Sequence, residues 1–283
     1  MTDAARAPTL GEYLLGVEGL ALLRLAFGDD PDARAARTAE IHDLASRIAT
    51  DPALGAPLGA EYDLDDGYRV WSATYDRPLR LFPIEEPRMH ALIDACPPGT
   101  ALDAACGTGR YSTYLAARGH TVIGVDQSPS MLERARQKLP EATFHQGDLA
   151  ELPAPDESVD VVVCALALVH VPSLAEAMAE FARVLRPGGR LIVSDVHPFL
   201  VLLAWQAQFP AEGGGRGFMR LHCHLPSEYL GAAGAAGLSF RSLHEPVLTP
   251  ESVVTAAADV VPDANRAAYA GLPAVTVWEF ERR

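Results

Sequence analysis

The spacing of apolar residues changes character near residue 100. In residues 9–27 (TLGEYLLGVEGLALLRLAF), Leu10, Leu14, Val17, Leu20, Leu22 and Leu25 recur at near-helical intervals. Thr9, with Glu12 three residues on, supplies the hydroxyl and carboxylate of an N-terminal cap. A second helix is expected from Pro31 to about Thr50, with Ala33, Ala36, Ile41, Leu44 and Ile48 on one side. The turn-rich DPALGAPLGA at 51–60 closes this helical extension. Beyond residue 100, short apolar runs alternate with helical patterns. Thr100–Ala105, Thr121–Val125, Glu141–Gln146, Val159–Ala165 and Arg190–Ser194 read as strands, and a helix over Leu174–Leu185 is closed by Pro187-Gly188-Gly189. The fourth strand is continuous in apolar residues from Val161 on, as a strand covered on both faces should be. A helix at Ser227–Ala236 and strands at Leu238–His244 and Ala274–Glu281 complete the series. The alternation predicts an α/β layer of about seven strands, mostly parallel, with helices on both faces. Between the fifth strand and the next helix, residues 197–225 form a long connection rich in aromatics and glycine, the length at which loops are usually functional.

Composition narrows the function classes. The length of 283 residues allows one full domain plus an elaboration, or two small domains, and 49% hydrophobic and 21% charged residues suit a globular core. This divides the chain into an N-terminal extension, 1–60, and a main domain, 61–283. The net charge of −14 would repel a phosphate backbone, which argues against nucleic acid as a partner. The four cysteines form no C-x-x-C pair, so neither a disulfide framework nor a thiolate zinc site is expected. The longest apolar run, Val161–Val169, is nine residues, short of a membrane span. Glu12 and Glu18 within the first apolar stretch do not fit a secretory signal, and a cytoplasmic location is expected.

The most informative stretch is Asp103-Ala104-Ala105-Cys106-Gly107-Thr108-Gly109, where a strand runs into a glycine turn and a helix. Glycine lets the chain turn sharply and lets a ligand approach the backbone. A dinucleotide fingerprint would place a third glycine where Ser112 stands, and no Gly-Lys-Ser/Thr follows, which excludes a P-loop. The turn is entered through an acid, Asp103, which favours a ligand carrying positive charge. Seventeen residues after Gly109, Asp126 ends the next strand, where a carboxylate can accept both hydroxyls of a ribose.

These residues resemble class I S-adenosylmethionine-dependent methyltransferases, most strongly over 99–195. Asp103–Gly109 is similar to the family's first motif, with Ala105 where many members carry glycine, and Val125–Leu132 to its ribose-binding strand end. Gln146-Gly147-Asp148-Leu149 is similar to the adenine-contacting turn. Asp160–Ala165 with Leu168–Pro172, and then Arg183–Leu191, resemble the later motifs. The resemblance implies a Rossmann-like fold and S-adenosylmethionine as cofactor. It implies that Asp103 and the Gly107–Gly109 backbone hold the methionine end, with Ala105 in the same turn at negative φ. It further implies that Asp126, with Gln127 beside it, binds the ribose, and that Met131 packs on the adenine. Asp148, with Leu149, would accept the adenine amino group, and the Ala165 main chain would meet the cofactor's amino group.

Four regions are expected to wall the acceptor. Tyr68, Trp71 and Tyr75 precede the sheet, and the resemblance puts Tyr75 near the cofactor. Leu166–His170 follows the fourth strand, with a structural or cofactor-side role for His170. His197, directly after the fifth strand, is the preferred general base. His222 and His224 fall on one face of an extended segment, a geometry two metal ligands could use, but similar histidines in relatives bind none and no metal is assigned. Phe199, Leu202, Leu203, Trp205, Phe209, Phe218 and Met219 make 197–225 an apolar lid. The expected function is methylation, at O, N or C, of a small apolar or aromatic metabolite, without nucleic-acid or membrane partners. The N-terminal helices would cap the pocket or pair two subunits into a homodimer. Two rival readings are a non-methylating use of the same cofactor, such as a cyclisation, and a nicotinamide-dependent reductase.

Overall fold

The computed structural model describes residues 8–77 and 80–283, so the first seven positions of the expected extension lie outside the described residues. In chain order the main helices and the strands of the larger sheet are α1 (Leu10–Arg24), α2 (Pro31–Arg47), α3 (Leu64–Trp71), α4 (Phe82–Asp94), β1 (Thr100–Ala104), α5 (Arg110–Ala117), β2 (Thr121–Asp126), α6 (Pro129–Lys138) and β3 (Thr143–Gln146). They continue with β4 (Val159–Ala165), α7 (Ala175–Val184), β5 (Leu185–Val196), α8 (Pro198–Leu202), α9 (Pro226–Ala235), β6 (Leu238–His244), α10 (Pro262–Tyr269) and β7 (Val275–Arg282). A single 3-10 turn, Leu168–His170, follows β4. The described chain divides into two compact units. One holds residues up to 61 with Pro210–Phe218 and Val247–Leu272; the other holds Tyr62–Phe209, Met219–Pro246 and Pro273–Arg283.

The larger unit carries a seven-stranded sheet in the order β3-β2-β1-β4-β5-β7-β6. All neighbours are parallel except β7, which is antiparallel to both β5 and β6. The apolar reading of β4 holds from Val161 to Cys164, which are all buried; Asp160 near its start is instead partly exposed and accepts from Arg186 Nη1 at 2.6 Å. Trp278 and Phe280 of β7 are fully buried and stack on one another, and Tyr229 of α9 stacks on Trp278.

One strand is far longer than the sequence indicates. Pro187-Gly188-Gly189 does not separate a helix from a strand; it lies inside β5, which begins at Leu185 directly after α7. Val159 pairs with Leu185 and Val161 with Arg190, so the Pro-Gly-Gly segment bulges out between two stretches of regular pairing. Gly188, at φ +80°, supplies the left-handed step the bulge needs.

In the smaller unit the expected cap of α1 is present. The Thr9 N–H donates to Glu12 Oε2 at 2.8 Å, and the Glu12 N–H donates to Thr9 Oγ1 at 3.3 Å. The helix ends at Arg24, and its buried face is Leu14, Val17, Glu18 and Ala21. Leu20, Leu22 and Leu25 lie off that stripe and are half-buried. Glu18 sits within 3.5 Å of Arg37 of α2, and burial pushes its carboxyl up to about 8. No helix among the described residues is long and apolar enough to cross a membrane.

Candidate functional site

Parallel pairing brings the candidate residues to one end of the sheet. β1 is flanked by β2 and β4, with Ala104 opposite both Val125 and Cys164, while Asp126 lies opposite Gln146 of β3. The chain therefore leaves four strands at the same carboxyl end, where the strand order reverses and open α/β sheets bind their ligands. A cleft of about 630 Å³, its open mouth included, lies there.

One side of this cleft is built by the glycine turn and the ends of β2 and β3. Ala105, Gly107 and Gly109 all have positive φ, at +56°, +54° and +82°. For Ala105 this corrects the expected negative φ. A left-handed conformation costs a non-glycine residue about 1–2 kcal/mol, and here backbone hydrogen bonds hold it in place. The Cys106 N–H donates to the Val125 carbonyl at 2.9 Å, and the Gly107 N–H to Asp126 Oδ2 at 2.7 Å. The Ser128 N–H donates to Asp126 Oδ1 at 2.8 Å. Each carboxylate oxygen thus accepts one backbone N–H and keeps lone-pair capacity for a further donor. Burial pushes the Asp126 carboxyl up, and the two backbone N–H groups oppose that. Asp148 Oδ1 accepts the Ala150 N–H at 2.7 Å, which fixes the second acid of the cleft.

Of the ten cofactor residues expected from sequence, Ala105, Gly107, Asp126, Gln127, Asp148, Leu149 and Ala165 line the cleft. Asp103, Gly109 and Met131 do not. Asp103 is buried behind the turn, accepts the Ser112 hydroxyl at 2.6 Å, and is pushed up to about 7 by burial. Gly109 begins α5, where an added Cβ would stand 3.2 Å from Ala135 Cβ, so its glycine lets α5 approach α6. Met131 packs inside, 1% exposed, on α6.

The other side is aromatic. Leu64, Tyr68 and Tyr75 line the cleft, backed by a cluster of Trp71, Phe209 and Met219. The 4-3-4 spacing of Leu64, Tyr68, Trp71 and Tyr75 is that of a helix face. Leu64 was the residue missed from sequence, although it extends the aromatic stripe by one turn. The Tyr75 ring lies against the glycine turn, 3.9 Å from where a Cβ on Gly107 would stand. A three-way latch holds the adjoining residue: Asp76 Oδ1 accepts the Thr108 hydroxyl and Lys138 Nζ, each at 2.6 Å, and Lys138 Nζ also donates to Thr108 Oγ1 at 2.9 Å. No periodicity announces this latch, because its three members lie on separate segments. His170 completes the wall, with its Nε2 2.8 Å from the Tyr68 hydroxyl.

His197 is not brought to the cleft. It is 3% exposed at the start of α8, where its Nδ1 accepts the Phe199 N–H at 3.1 Å and its Nε2 faces Glu245 at 3.0 Å. Both ring nitrogens are committed to holding α8, so the general-base assignment is withdrawn. The rings of His222 and His224 are 6.2 Å apart, but the His224 Nε2–H donates to the Val171 carbonyl at 2.8 Å. Among the described residues no group of three or more His, Cys, Asp or Glu side chains could hold a metal ion.

The charges of the lining identify a suitable ligand. Its acidic side chains are Asp126 and Asp148, and among the described residues it has no Lys or Arg. A pyrophosphate would meet repulsion there. A nucleoside with vicinal hydroxyls, an amino-bearing base and a cationic sulfonium finds acceptors at the strand ends and aromatic faces for its positive charge. The residues present therefore fit S-adenosylmethionine.

Known proteins point the same way. Residues 102–193 match the family model described as a methyltransferase domain. An uncharacterised methyltransferase of Synechocystis is 34% identical over 143 residues, covering 46% of this chain and 68% of that protein. A demethylmenaquinone methyltransferase of Deinococcus radiodurans is 36% identical over 149 residues, covering 50% of this chain and 58% of the relative, so the match spans less than two thirds of that protein. The crystal structure of an S-adenosylmethionine-dependent methyltransferase from Mesorhizobium loti superposes with a TM-score of 0.55 at 23% identity, covering 70% of this chain and 98% of that one, a likeness of fold.

Proposed function

The chain belongs to the S-adenosylmethionine-dependent methyltransferases, and from that premise we propose that its acceptor is a small, neutral, apolar or aromatic metabolite. The observation that carries this reading is the make-up of the cleft: two acids on one side, an aromatic wall on the other, and no cationic side chain among the described lining residues. An acidic acceptor would have to lose its hydration against two carboxylates with nothing to pair it. A flat apolar ring loses little by leaving water and gains contact with Tyr68, Tyr75 and Leu64.

When bound, the cofactor would supply an electrophilic methyl group to the acceptor's nucleophilic atom. The protein's task is alignment and the exclusion of water. Asp126 and Asp148 anchor the nucleoside end, the Ala105–Gly109 turn lets it lie close to the backbone, and Tyr75 covers the turn. Tyr68 and Leu64 then present the acceptor from the opposite side. Burial holds the Tyr75 phenol up at about 12, so at neutral pH it remains a neutral hydroxyl-bearing surface.

Incubating the protein with methyl-deuterated cofactor and a fractionated metabolite extract tests this by mass spectrometry. The expected result is a three-deuterium label in the neutral, organic-soluble fraction, with S-adenosylhomocysteine formed in equal amount. A label confined to the carboxylic, protein or nucleic-acid fractions would overturn the acceptor class. Cofactor turnover without any labelled product would favour a non-methylating reaction.

A further inference from the structure

Resting on the methyltransferase reading, we propose that Tyr68 and His170 form the pair that recognises the acceptor, hydrogen-bonding a hydroxyl carried on a neutral aromatic ring and discriminating against the ether and the carboxylate of the same ring. The two residues lie 102 positions apart and reach the cleft from α3 and from the 3-10 turn after β4. Their polar atoms meet at 2.8 Å in a wall whose other side chains, the Tyr75 hydroxyl apart, are apolar. The Tyr68 ring is stacked on Trp71, tilted against Tyr75 and edge-on to His170, which fixes the direction of its hydroxyl.

The second nitrogen of the imidazole points to a ligand. His170 Nδ1 is buried and has no hydrogen-bond partner. A buried polar atom left unpaired is costly, and such atoms are uncommon unless something else completes them. Burial and the neighbouring His222 hold the His170 imidazole down at about 4, and burial pushes the Tyr68 phenol well above its ordinary value. The couple is therefore uncharged at neutral pH.

An uncharged Tyr–His couple has two arrangements. In one, the Tyr68 hydroxyl donates to Nε2 and Nδ1 carries the remaining proton. In the other, Nε2–H donates to the Tyr68 oxygen, the phenol proton is free for a ligand, and Nδ1 accepts. A ligand hydroxyl both donates and accepts, so it can complete either arrangement. An ether only accepts. A carboxylate adds a charge that neither partner neutralises and that faces Asp126 and Asp148 in the same cleft.

The test uses the full chain saturated with S-adenosylhomocysteine and three probes sharing one ring: 1-naphthol, 1-methoxynaphthalene and 1-naphthoate. Calorimetry is expected to give 1-naphthol at least tenfold tighter binding than the ether and a larger margin over the acid. Tyr68→Phe, which keeps the ring, should reduce the naphthol-to-ether ratio to within threefold of unity. His170→Leu should do the same, and His170→Gln, which keeps a polar partner, should restore part of the preference. The double variant Tyr68→Phe/His170→Leu should be no worse than either single one, because the two act as a unit. Stabilisation of each variant by S-adenosylhomocysteine in thermal melts verifies that it is folded; if His170→Leu is not, the Tyr68→Phe ratio decides. Equal affinity for naphthol and ether in the wild type, an undiminished ratio in Tyr68→Phe, or no probe binding to the loaded protein would overturn the pair's role. Failure of S-adenosylhomocysteine itself to bind would instead strike the methyltransferase reading.

Discussion

The two sides of the cleft are held in place by different kinds of interaction. On the cofactor side, position comes from the main chain: parallel register aligns β1, β2, β3 and β4, and the Asp126 carboxylate is held by the N–H groups of Gly107 and Ser128. On the acceptor side, position comes from side chains of remote segments, the stacked rings of Tyr68 and Trp71, the Tyr68–His170 bond and the Asp76–Thr108–Lys138 latch. The first side is rigid because sheet pairing leaves it few alternatives. The second can change its residues without changing the fold, as a site that sets acceptor choice should be able to do.

The largest effect that would break this contrast is expected at Asp126. Asp126→Ala removes the acceptor of two backbone N–H groups together with the proposed ribose contacts. S-adenosylhomocysteine affinity should fall by about 2–4 kcal/mol, judged from hydrogen bonds to a charged group. Calorimetry reads this as a loss of roughly thirtyfold to several hundredfold, and a loss below threefold would contradict a cofactor side centred on this residue.

Proton linkage gives the next effect. The buried Asp103 carboxyl is raised from its ordinary 3.8 to about 7, and Asp195, buried against the Tyr229 hydroxyl at 2.5 Å, is raised by burial to about 7 as well. For an acid whose folded pKa lies above its unfolded one, folding takes up a proton between the two values. Stability from these groups is complete below about pH 4, is lost as pH rises towards about 7, and is level above that. Thermal melts of the cofactor-free protein should therefore fall in Tm from pH 5 to pH 7, and Asp103→Asn should flatten part of that slope. An unchanged slope in Asp103→Asn would show that Asp103 does not bind this proton.

Much of the cofactor side was legible in the sequence. The glycine turn, the acid at the end of β2 and the apolar run of β4 are local patterns, and local patterns survive into the fold. Asp103 and Met131 were legible as motif members but not as residues behind the wall, because their depth depends on how α5 and α6 pack. Ala105 was misread because its small side chain implied ordinary backbone, whereas the bonds from Cys106 and Gly107 impose a left-handed one. On the acceptor side the aromatic stripe was visible as periodicity. The partnership of Tyr68 with His170 was not, since contacts between residues far apart leave no spacing signal. His197 shows the converse: its place after β5 suggested chemistry, while Phe199 and Glu245 engage both of its nitrogens.

Two smaller effects sharpen the comparison. Lys138→Met removes one arm of the latch beside Tyr75 while leaving the sheet register untouched. S-adenosylhomocysteine affinity should fall by about 0.5–1 kcal/mol, the range of a partly exposed ion pair, and raised salt should weaken the wild type towards the variant. Surface plasmon resonance should place the change in the dissociation rate, and an unchanged rate would remove the latch from cofactor retention. Ala105→Gly should have the smallest effect. It relieves left-handed strain of about 1–2 kcal/mol but adds about 0.5–1 kcal/mol of unfolded-chain entropy, leaving a gain of a few tenths to about 1 kcal/mol in chemical denaturation. A clear loss of stability would mean that Ala105 is not strained.

The most direct measurement is a crystal structure of the full chain with S-adenosylhomocysteine. The expected complex has both ribose hydroxyls within about 3 Å of the Asp126 carboxylate, adenine at Asp148, and the sulfur facing Tyr75 and the Tyr68–His170 wall. A nucleoside bound elsewhere, or one turned so that its sulfur faces away from that wall, would contradict the division of the cleft into a main-chain cofactor side and a side-chain acceptor side.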